Sequence, residues 1–139
     1  VVPSRENKDD QRQVITVPDH VEILAQMISG PIAHLRFSSI TGHAPNDQVW
    51  MFGSEGTLHL DVPSMTLSGG RRGDKRMSPI DVAPSDQAAW RVEEEFVNAI
   101  RGKEKILLTS FEDGVRYMEF TEAVQISIAE GRRVDLPLE

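Results

Sequence analysis

The chain lacks cysteine, lacks any long apolar run and has few basic residues relative to acidic ones. With no cysteine among 139 residues, disulfides, thiolate metal sites and cysteine nucleophiles are excluded. Its longest uncharged apolar stretch falls well short of the roughly 20 residues that a membrane-spanning helix requires. The 15 Lys and Arg residues are outnumbered by 22 Asp and Glu residues, for a net charge of −7. A nucleic-acid binder or a protein that docks on anionic lipid needs a dense cationic surface, so we expect neither partner.

The length and composition indicate one globular domain covering residues 1–139. Hydrophobic residues make up 39% and charged residues 27% of the chain, which is ordinary for such a domain. The sequence starts at Val1 without an initiator methionine or a secretory pattern. We therefore expect an excerpt from a longer, cytoplasmic protein.

The first two-thirds of the chain contain short β-type segments separated by turn residues. Gly30-Pro31 separates the two longer segments, His20–Ser29 and Ile32–Ile40, and predicts an antiparallel hairpin. Within Ile32–Ile40 polar and apolar residues alternate, which indicates one buried face and one polar face. The strand candidates are Val14–Val17, His20–Ser29, Ile32–Ile40, Gln48–Phe52, Thr57–Val62, Met65–Ser68, Met77–Val82 and, at the end of the chain, Val134–Leu136.

The last third is predicted to form two amphipathic helices. Ser85 or Asp86 can cap the first, which should end at Gly102, with Glu93–Glu95 on its solvent side. The second should run from Ser110 to Gly131. Strands followed by two helices predict an α+β fold, with a two-layer, largely antiparallel open sheet and both C-terminal helices on one face.

The four histidines do not form a recognisable metal motif. His20, His34, His43 and His59 show no i, i+4 pair and have no cysteine to supplement them. We predict structural or surface roles for them and no metal site.

Two glycine-rich segments invite a binding hypothesis. Gly53-Ser54-Glu55-Gly56 is followed by a strand, whereas a phosphate loop is followed by a helix, so it is interpreted as a hairpin turn. Gly69-Gly70-Arg71-Arg72-Gly73 combines flexibility with positive charge. The ordinary interpretation is a solvated hairpin tip. The alternative is a binding site for a phosphate or carboxylate.

No catalytic set is recognisable in the chain. Its carboxylates crowd onto predicted helix exteriors, and Ser110 has a capping role with no histidine close in sequence. No Gly-x-Gly-x-x-Gly motif is present, so no dinucleotide site is predicted. We therefore predict no catalytic and no cofactor-binding residues here.

Several segments in order resemble the C-terminal domain of the glucose-fructose oxidoreductase / inositol dehydrogenase family. Met51–Asp61 looks like that family's strand–Gly-x-Glu-Gly–strand element, and Phe96–Gly102 is similar to its Phe-x-x-Ala-Ile-x-Gly helix end. Ser110–Val134 resembles its closing helix and final strand, and Pro18-Asp19 with the Gly30-Pro31 hairpin fits its first two strands. The resemblance covers about Val14 to Pro137.

The resemblance implies a larger oxidoreductase of which this chain is one domain. Family members carry an N-terminal Rossmann domain that binds NAD or NADP and transfer hydride to or from a sugar, cyclitol or related polyol. The second domain shapes the substrate pocket and uses its open sheet face for subunit association, so a homodimer is expected. The family's Glu-Lys-Pro motif and its Asp/His pair lie upstream of the matched segments. The resemblance therefore implies that this chain has no oxidoreductase activity alone and that it works together with its own Rossmann domain.

The candidates for contacts with a polyol substrate are Arg36, His43, Arg71 and Arg72, although their spacing forms no specific motif.

Two alternative functions stay open. One is a stand-alone binding or assembly module without enzymatic activity. The other is a small carbohydrate-processing enzyme with its own carboxylate pair, which would turn over substrate as the isolated chain.

Overall fold

The computed structural model describes residues 4–14, 16–87, 89–108 and 110–138. The chain divides into two compact units, Val1–Gln87 and Ala88–Glu139. The first contains the strands and the second contains the α-helices. The expectation of a single domain across residues 1–139 stays a prediction.

The strands and helices follow one another as an α+β chain, as the sequence predicts. The elements are β1 (Ser4–Glu6), β2 (Arg12–Val14), β3 (His20–Gln26), β4 (Ile32–Ser38), β5 (Gln48–Phe52), β6 (Gly56–Asp61), β7 (Thr66–Arg71), β8 (Ser78–Pro79), a 3-10 turn (Pro84–Asp86), α1 (Val92–Ile100) and α2 (Phe111–Glu130).

Each strand pairing that the structure describes is antiparallel, and the strands form three separate sheets. β1 pairs with β2, β3 pairs with β4, and β5 to β8 form a four-stranded sheet in sequence order. The antiparallel arrangement confirms the sequence prediction. The division into three sheets is a feature that strand patterns alone do not reveal, because alternation reports a strand's faces and not its neighbours.

The β3–β4 hairpin turns at Gly30, as predicted. Gly30 has φ 107°, a left-handed conformation that side chains with a Cβ resist, and Met27 N donates to the carbonyl of Pro31 at 2.8 Å. The register pairs Glu22 with Arg36 and His20 with Ser38. Residues directly opposite each other point to the same face, so the hairpin's polar side chains gather on one side.

The sheet β5–β8 contains a close backbone approach that only glycine permits. A Cβ placed on Gly56 would lie 2.4 Å from the carbonyl oxygen of Gly70 and 3.1 Å from Cα of Arg71. Real Cβ atoms do not come that close to backbone atoms. The β5–β6 turn therefore sits directly against β7 because residue 56 has no side chain.

An ion pair links the first two sheets. Nη2 of Arg5, on β1, lies 2.9 Å from Oδ2 of Asp19, just before β3. The Asp19 side chain is only 5% exposed, and its main-chain carbonyl accepts a hydrogen bond from Ser39 N at 2.9 Å. A buried carboxylate with a cationic partner fixes the start of the hairpin.

Helix α2 begins and ends where the sequence predicts. The Ser110 side chain accepts a hydrogen bond from Asp113 N at 3.1 Å, and Asp113 Oδ2 accepts one from Ser110 N at 3.1 Å, which completes a capping box. Gly131 ends the helix in the left-handed conformation with φ 63°.

Helix α1 begins later than predicted. Ser85 and Asp86 belong to the 3-10 turn, where the Ser85 hydroxyl donates to the Asp86 carboxylate at 3.1 Å, so neither is available to cap α1. The helix starts at Val92, after Arg91, and has no side-chain cap. Glu95 was predicted on the solvent side and is instead buried, because it accepts hydrogen bonds from the amides of Leu107 and Leu108 at 3.3 and 3.4 Å.

Other predicted strands differ in extent from the observed ones. β2 overlaps the predicted Val14–Val17 strand only at Val14, and Ile15 lies outside the described residues. β8 is limited to Ser78–Pro79 within the predicted Met77–Val82. The predicted strand Val134–Leu136 is wrong: a short extended segment needs a partner ladder, and none of the described strands pairs with it.

Few residues are buried as a whole in either unit. Ala123 and Glu95 are the buried residues among those described, whereas Trp50, Met51 and Phe52 are 44%, 50% and 78% exposed. Exposed apolar residues in such number are typical of interaction surfaces.

Candidate functional site

An open cleft lies in the unit Val1–Gln87. Its volume is about 1320 Å³. One side is lined by residues 31–37, in and before β4, and the other by residues 48–58, in β5, β6 and the turn between them. Gly69–Arg71, Asp74 and Ile80 complete the lining. Two hairpins that do not hydrogen-bond to each other thus form the walls of one groove.

A cluster of charged groups occupies the polar face of β3 and β4. Glu22 Oε2 lies 3.3 Å from His34 Nε2, and Glu22 Oε1 lies 3.4 Å from His20 Nε2 and 3.5 Å from Arg36 Nε. His34 and Arg36 line the cleft. One carboxylate therefore organises three potential hydrogen-bond donors beside it.

The surroundings of Glu22 favour its ionised form. The hydrogen bond from His34 lowers the pKa of the Glu22 carboxyl below its ordinary value of 4.5. The hydrogen bond from His20 and the charge of Arg36 act in the same direction, while desolvation opposes them. A carboxyl with a lowered pKa is ionised at neutral pH and is a poor general acid.

Aromatic rings line the wall formed by β5. Trp50 stacks on His59, its partner on β6, with ring centroids 4.0 Å apart and planes 25° apart. Phe52 lies alongside Trp50 at 5.9 Å with an 8° angle between the rings. The Trp50 indole donates to the Gln48 side chain at 3.0 Å. Side chains at i and i+2 share a strand face, so these residues form one aromatic surface.

His59 has an unusual environment within this surface. Its Nε2 is buried and, within residues 4–14, 16–87, 89–108 and 110–138, has no hydrogen-bond partner. Stacking against Trp50 covers the imidazole while leaving this nitrogen unsatisfied. Buried polar atoms without a partner are rare in folded proteins.

A smaller pocket of about 250 Å³ adjoins the cleft at the tips of the β5–β6 and β7–β8 hairpins. It is lined by Arg71, Arg72, two hydroxyl residues and three glycines, namely Ser54, Thr57, Gly53, Gly56 and Gly70. Arg71 also lines the larger cleft.

The structure brings together three of the four residues that the sequence singled out. Arg36 and Arg71 line the large cleft, and Arg71 and Arg72 line the small pocket. His43 lies in the segment between β4 and β5, in a left-handed conformation with φ 55°, and lines neither. Whether any of the four contacts a substrate stays a prediction.

Sequence reasoning missed that His34 and Trp50 line one groove and that Glu22 lies beside it. The sequence did contain a signal for the position of Glu22 near His34 and Arg36. In a hairpin that turns at Gly30-Pro31, paired residues have numbers that sum to 58, as in Glu22 with Arg36 and Leu24 with His34. No comparable signal existed for Trp50, because nothing in the sequence states which strand faces β4 across the cleft.

The described residues do not fit a dinucleotide. Such a site requires a parallel strand, a glycine-rich turn and then a helix whose N-terminal amides face the pyrophosphate. Here the turn at Gly53–Gly56 joins two antiparallel strands. We therefore derive no chemical step through a nicotinamide group from these residues.

Within the described part of the chain, no group of three or more His, Cys, Asp or Glu side chains is arranged to hold a metal ion. Among the same residues, no helix has the length and apolarity needed to cross a membrane.

The unit Ala88–Glu139 contains a separate polar cluster on α1. Arg91 Nε lies 2.9 Å from Glu94, and the Arg91 guanidinium and the Asn98 amide contact Glu104 Oε1 at 3.4 and 2.6 Å. The hydrogen bond from Arg91 lowers the pKa of Glu94, and that from the Trp90 indole lowers the pKa of Glu93. These contacts tie the helix to its neighbouring loop and indicate a structural role.

Comparison with protein-family models, curated proteins and solved structures gave no match to this chain. The resemblance to the oxidoreductase family therefore stays a prediction from sequence motifs.

Proposed function

We propose that this chain is the substrate-binding and assembly domain of a cytoplasmic NAD(P)-dependent oxidoreductase that acts on a sugar, cyclitol or related polyol. In this proposal the hydride chemistry and the NAD or NADP site belong to a Rossmann domain that works with this chain. The chain itself contributes part of the substrate pocket and an oligomer interface.

The observation that carries the proposal is that Arg36 and Arg71, from different sheets, line one groove that also contains aromatic rings. Sites for small polar ligands combine apolar or aromatic walls with a few hydrogen-bonding groups. Arg36 and His34 supply donors from one wall, and Trp50 and Phe52 supply stacking surface from the other. A polyol needs both, since its hydroxyls require hydrogen bonds and its C–H faces can pack on aromatic rings.

The absence of a recognisable catalytic set supports a division of labour. The Glu22 carboxyl, which lies beside the groove residues His34 and Arg36, has a lowered pKa, which disfavours general-acid catalysis. A domain that orients substrate for chemistry located elsewhere does not need a catalytic group of its own.

The test uses the natural protein that contains this chain. We expect NAD(P)-coupled oxidation or reduction of a panel of sugars and cyclitols, with Arg36→Met lowering kcat/KM on the order of tenfold because a hydrogen-bonding cation is lost. The matched control is Arg116→Met on α2, whose side chain is 76% exposed and pairs only loosely with Asp113 at 3.6 Å. Absence of any NAD(P)-dependent turnover by the whole protein would contradict the proposal, and polyol binding without turnover would identify a stand-alone binding module instead.

Two measurements on the 139-residue chain itself extend the test. Titration with NADH or NADPH should give no saturable binding heat, since the described residues do not fit a dinucleotide. Sedimentation should detect a dimer, because exposed Trp50 and Phe52 favour association. A strict monomer at high concentration would count against the assembly role.

A further inference from the structure

The small pocket beside the cleft combines positive charge with a constrained backbone. Its volume is about 250 Å³, and its side chains come from Arg71, Arg72, Ser54 and Thr57 together with three glycines. Guanidinium and hydroxyl groups are the donors that proteins use to bind carboxylate and phosphate oxygens. This composition separates the pocket from the more apolar cleft next to it.

One hydrogen bond joins the two loops of this pocket, and a further hydrogen bond closes each loop. Arg72 N donates to the carbonyl of Glu55 at 2.8 Å, which joins the β7–β8 loop to the β5–β6 turn. Gly53 N donates to the carbonyl of Gly56 at 2.9 Å, and Arg71 N donates to Asp74 Oδ2 at 2.8 Å. The arginines are therefore mounted on a backbone that is already ordered, which reduces the entropy cost of binding.

The local charge is opposite to that of the whole chain. Between Gly69 and Arg76 four basic residues accompany a single acidic one, and the facing Gly53–Thr57 turn adds one acidic residue, Glu55, whereas the chain carries a net charge of −7. The Asp74 carboxylate already accepts the Arg71 amide. Among the described residues, neither Arg71 nor Arg72 forms an ion pair with an acidic side chain. Both guanidinium groups thus retain their donors for a ligand.

We propose that Arg71 and Arg72, with the Gly53–Thr57 turn, bind the terminal oxyanion of a small ligand, a carboxylate or a phosphate. Arg71 lines both the small pocket and the larger cleft, so a ligand held by its oxyanion can extend its remaining atoms into the cleft. The oxyanion site stands on the geometry of this pocket alone. Its extension to an acidic or phosphorylated polyol rests on the proposed function.

The test is a calorimetric titration of the 139-residue chain with inorganic phosphate, glucuronate, glucose 6-phosphate and neutral glucose. We expect the three anions to bind more tightly than glucose. Their affinity should fall as the salt concentration is raised, because salt screens exposed charges. Tighter binding of glucuronate identifies the carboxylate as the source of the oxyanion, and tighter binding of glucose 6-phosphate identifies the phosphate. The double variant Arg71→Met/Arg72→Met should weaken anion binding on the order of tenfold or more.

Matched variants separate a specific site from general positive charge. Arg76→Met removes one charge from the same loop, but Arg76 does not line the pocket, so its effect on affinity should be under about twofold through long-range charge alone. The variant Arg71→Lys/Arg72→Lys keeps the charge but loses the planar fork, and should weaken binding to an intermediate extent. Far-ultraviolet circular dichroism of each variant checks that the fold is retained.

The outcomes distinguish the two proposals. The oxyanion site would be overturned if Arg76→Met and the Arg71/Arg72 variants lost anion affinity equally. It would also be overturned if the chain bound glucose and the anions with equal affinity. In the natural protein, turnover of neutral and acidic polyols with equal kcat/KM would overturn only its extension to acidic substrates. If the whole protein shows no NAD(P)-dependent turnover while phosphate binding still depends on Arg71 and Arg72, the oxyanion site stands and the proposed function fails.

Discussion

The hairpin β3–β4 and the sheet β5–β8 follow the same alternation of side chains but line the cleft with different chemistry. In the hairpin, His34 and Arg36 line the cleft and lie beside the Glu22 carboxylate. In the sheet the corresponding positions on β5 carry the stacked rings of Trp50 and Phe52. The hairpin wall should therefore respond to pH and salt, and the sheet wall to changes in packing.

The largest effect is expected from crowding the backbone of the sheet. Gly56→Ala places a methyl group where the carbonyl oxygen of Gly70 would be 2.4 Å away. We expect the free energy of unfolding to fall by about 3 kcal/mol, since backbone atoms must move to relieve the overlap. Urea denaturation followed by tryptophan fluorescence measures it.

The control for this change is Gly42→Ala, in the segment between β4 and β5. A Cβ at Gly42 meets no atom within 4 Å, so the effect should stay within about 0.5 kcal/mol. Equal stability of the two variants would show that the close approach of β6 and β7 is not required.

An intermediate effect is expected from removing the aromatic wall. Trp50→Ala eliminates the stacking on His59, whose ring centroid is 4.0 Å away, and should cost about 1 kcal/mol beyond the area lost. It should also expose the His59 imidazole to solvent, which NMR detects as faster exchange of its ring proton. Tyr117→Ala on α2, at a residue that is 59% exposed, is the control for loss of an exposed aromatic residue. An identical loss of stability in the two variants would argue against a specific stack.

The smallest effect is expected from titration of the hairpin wall. The pKa of Glu22 is lowered from 4.5, chiefly by the hydrogen bond from His34. A lowered folded-state pKa contributes stability that is present above pH 4.5 and is lost as the pH falls through the folded-state value. Titration of the Glu22 carboxyl by NMR should thus give a midpoint below 4.5.

Substitution identifies the cause of this shift. His34→Leu, which removes the hydrogen-bond donor, should move the Glu22 midpoint upward toward 4.5, whereas His43→Leu should leave it unchanged, because His43 is in none of the ion pairs around Glu22. A midpoint at or above 4.5 in the unaltered chain would contradict the charged cluster.

Local elements were more predictable than the surfaces they build. The Gly30-Pro31 turn, the Ser110 cap and the Gly131 end of α2 each depend on a few neighbouring residues, and each is observed as predicted. The prediction for the start of α1 was wrong because Ser85 and Asp86 belong to a competing 3-10 turn. The burial of Glu95 depends on amides more than ten residues away in the chain, which a helical period does not report.

The sequence by itself determined the α+β class, the antiparallel pairing of adjacent strands and the concentration of basic residues at Arg71–Arg76, because each follows from neighbours along the chain. Only the tertiary structure decided that β4 faces β5 across a cleft, that Arg36 and Arg71 line it together, and that Gly56 lies against Gly70. These relations join residues from different hairpins. They depend on how sheets are placed in space, and the alternation of polar and apolar side chains along a strand carries no information about that placement.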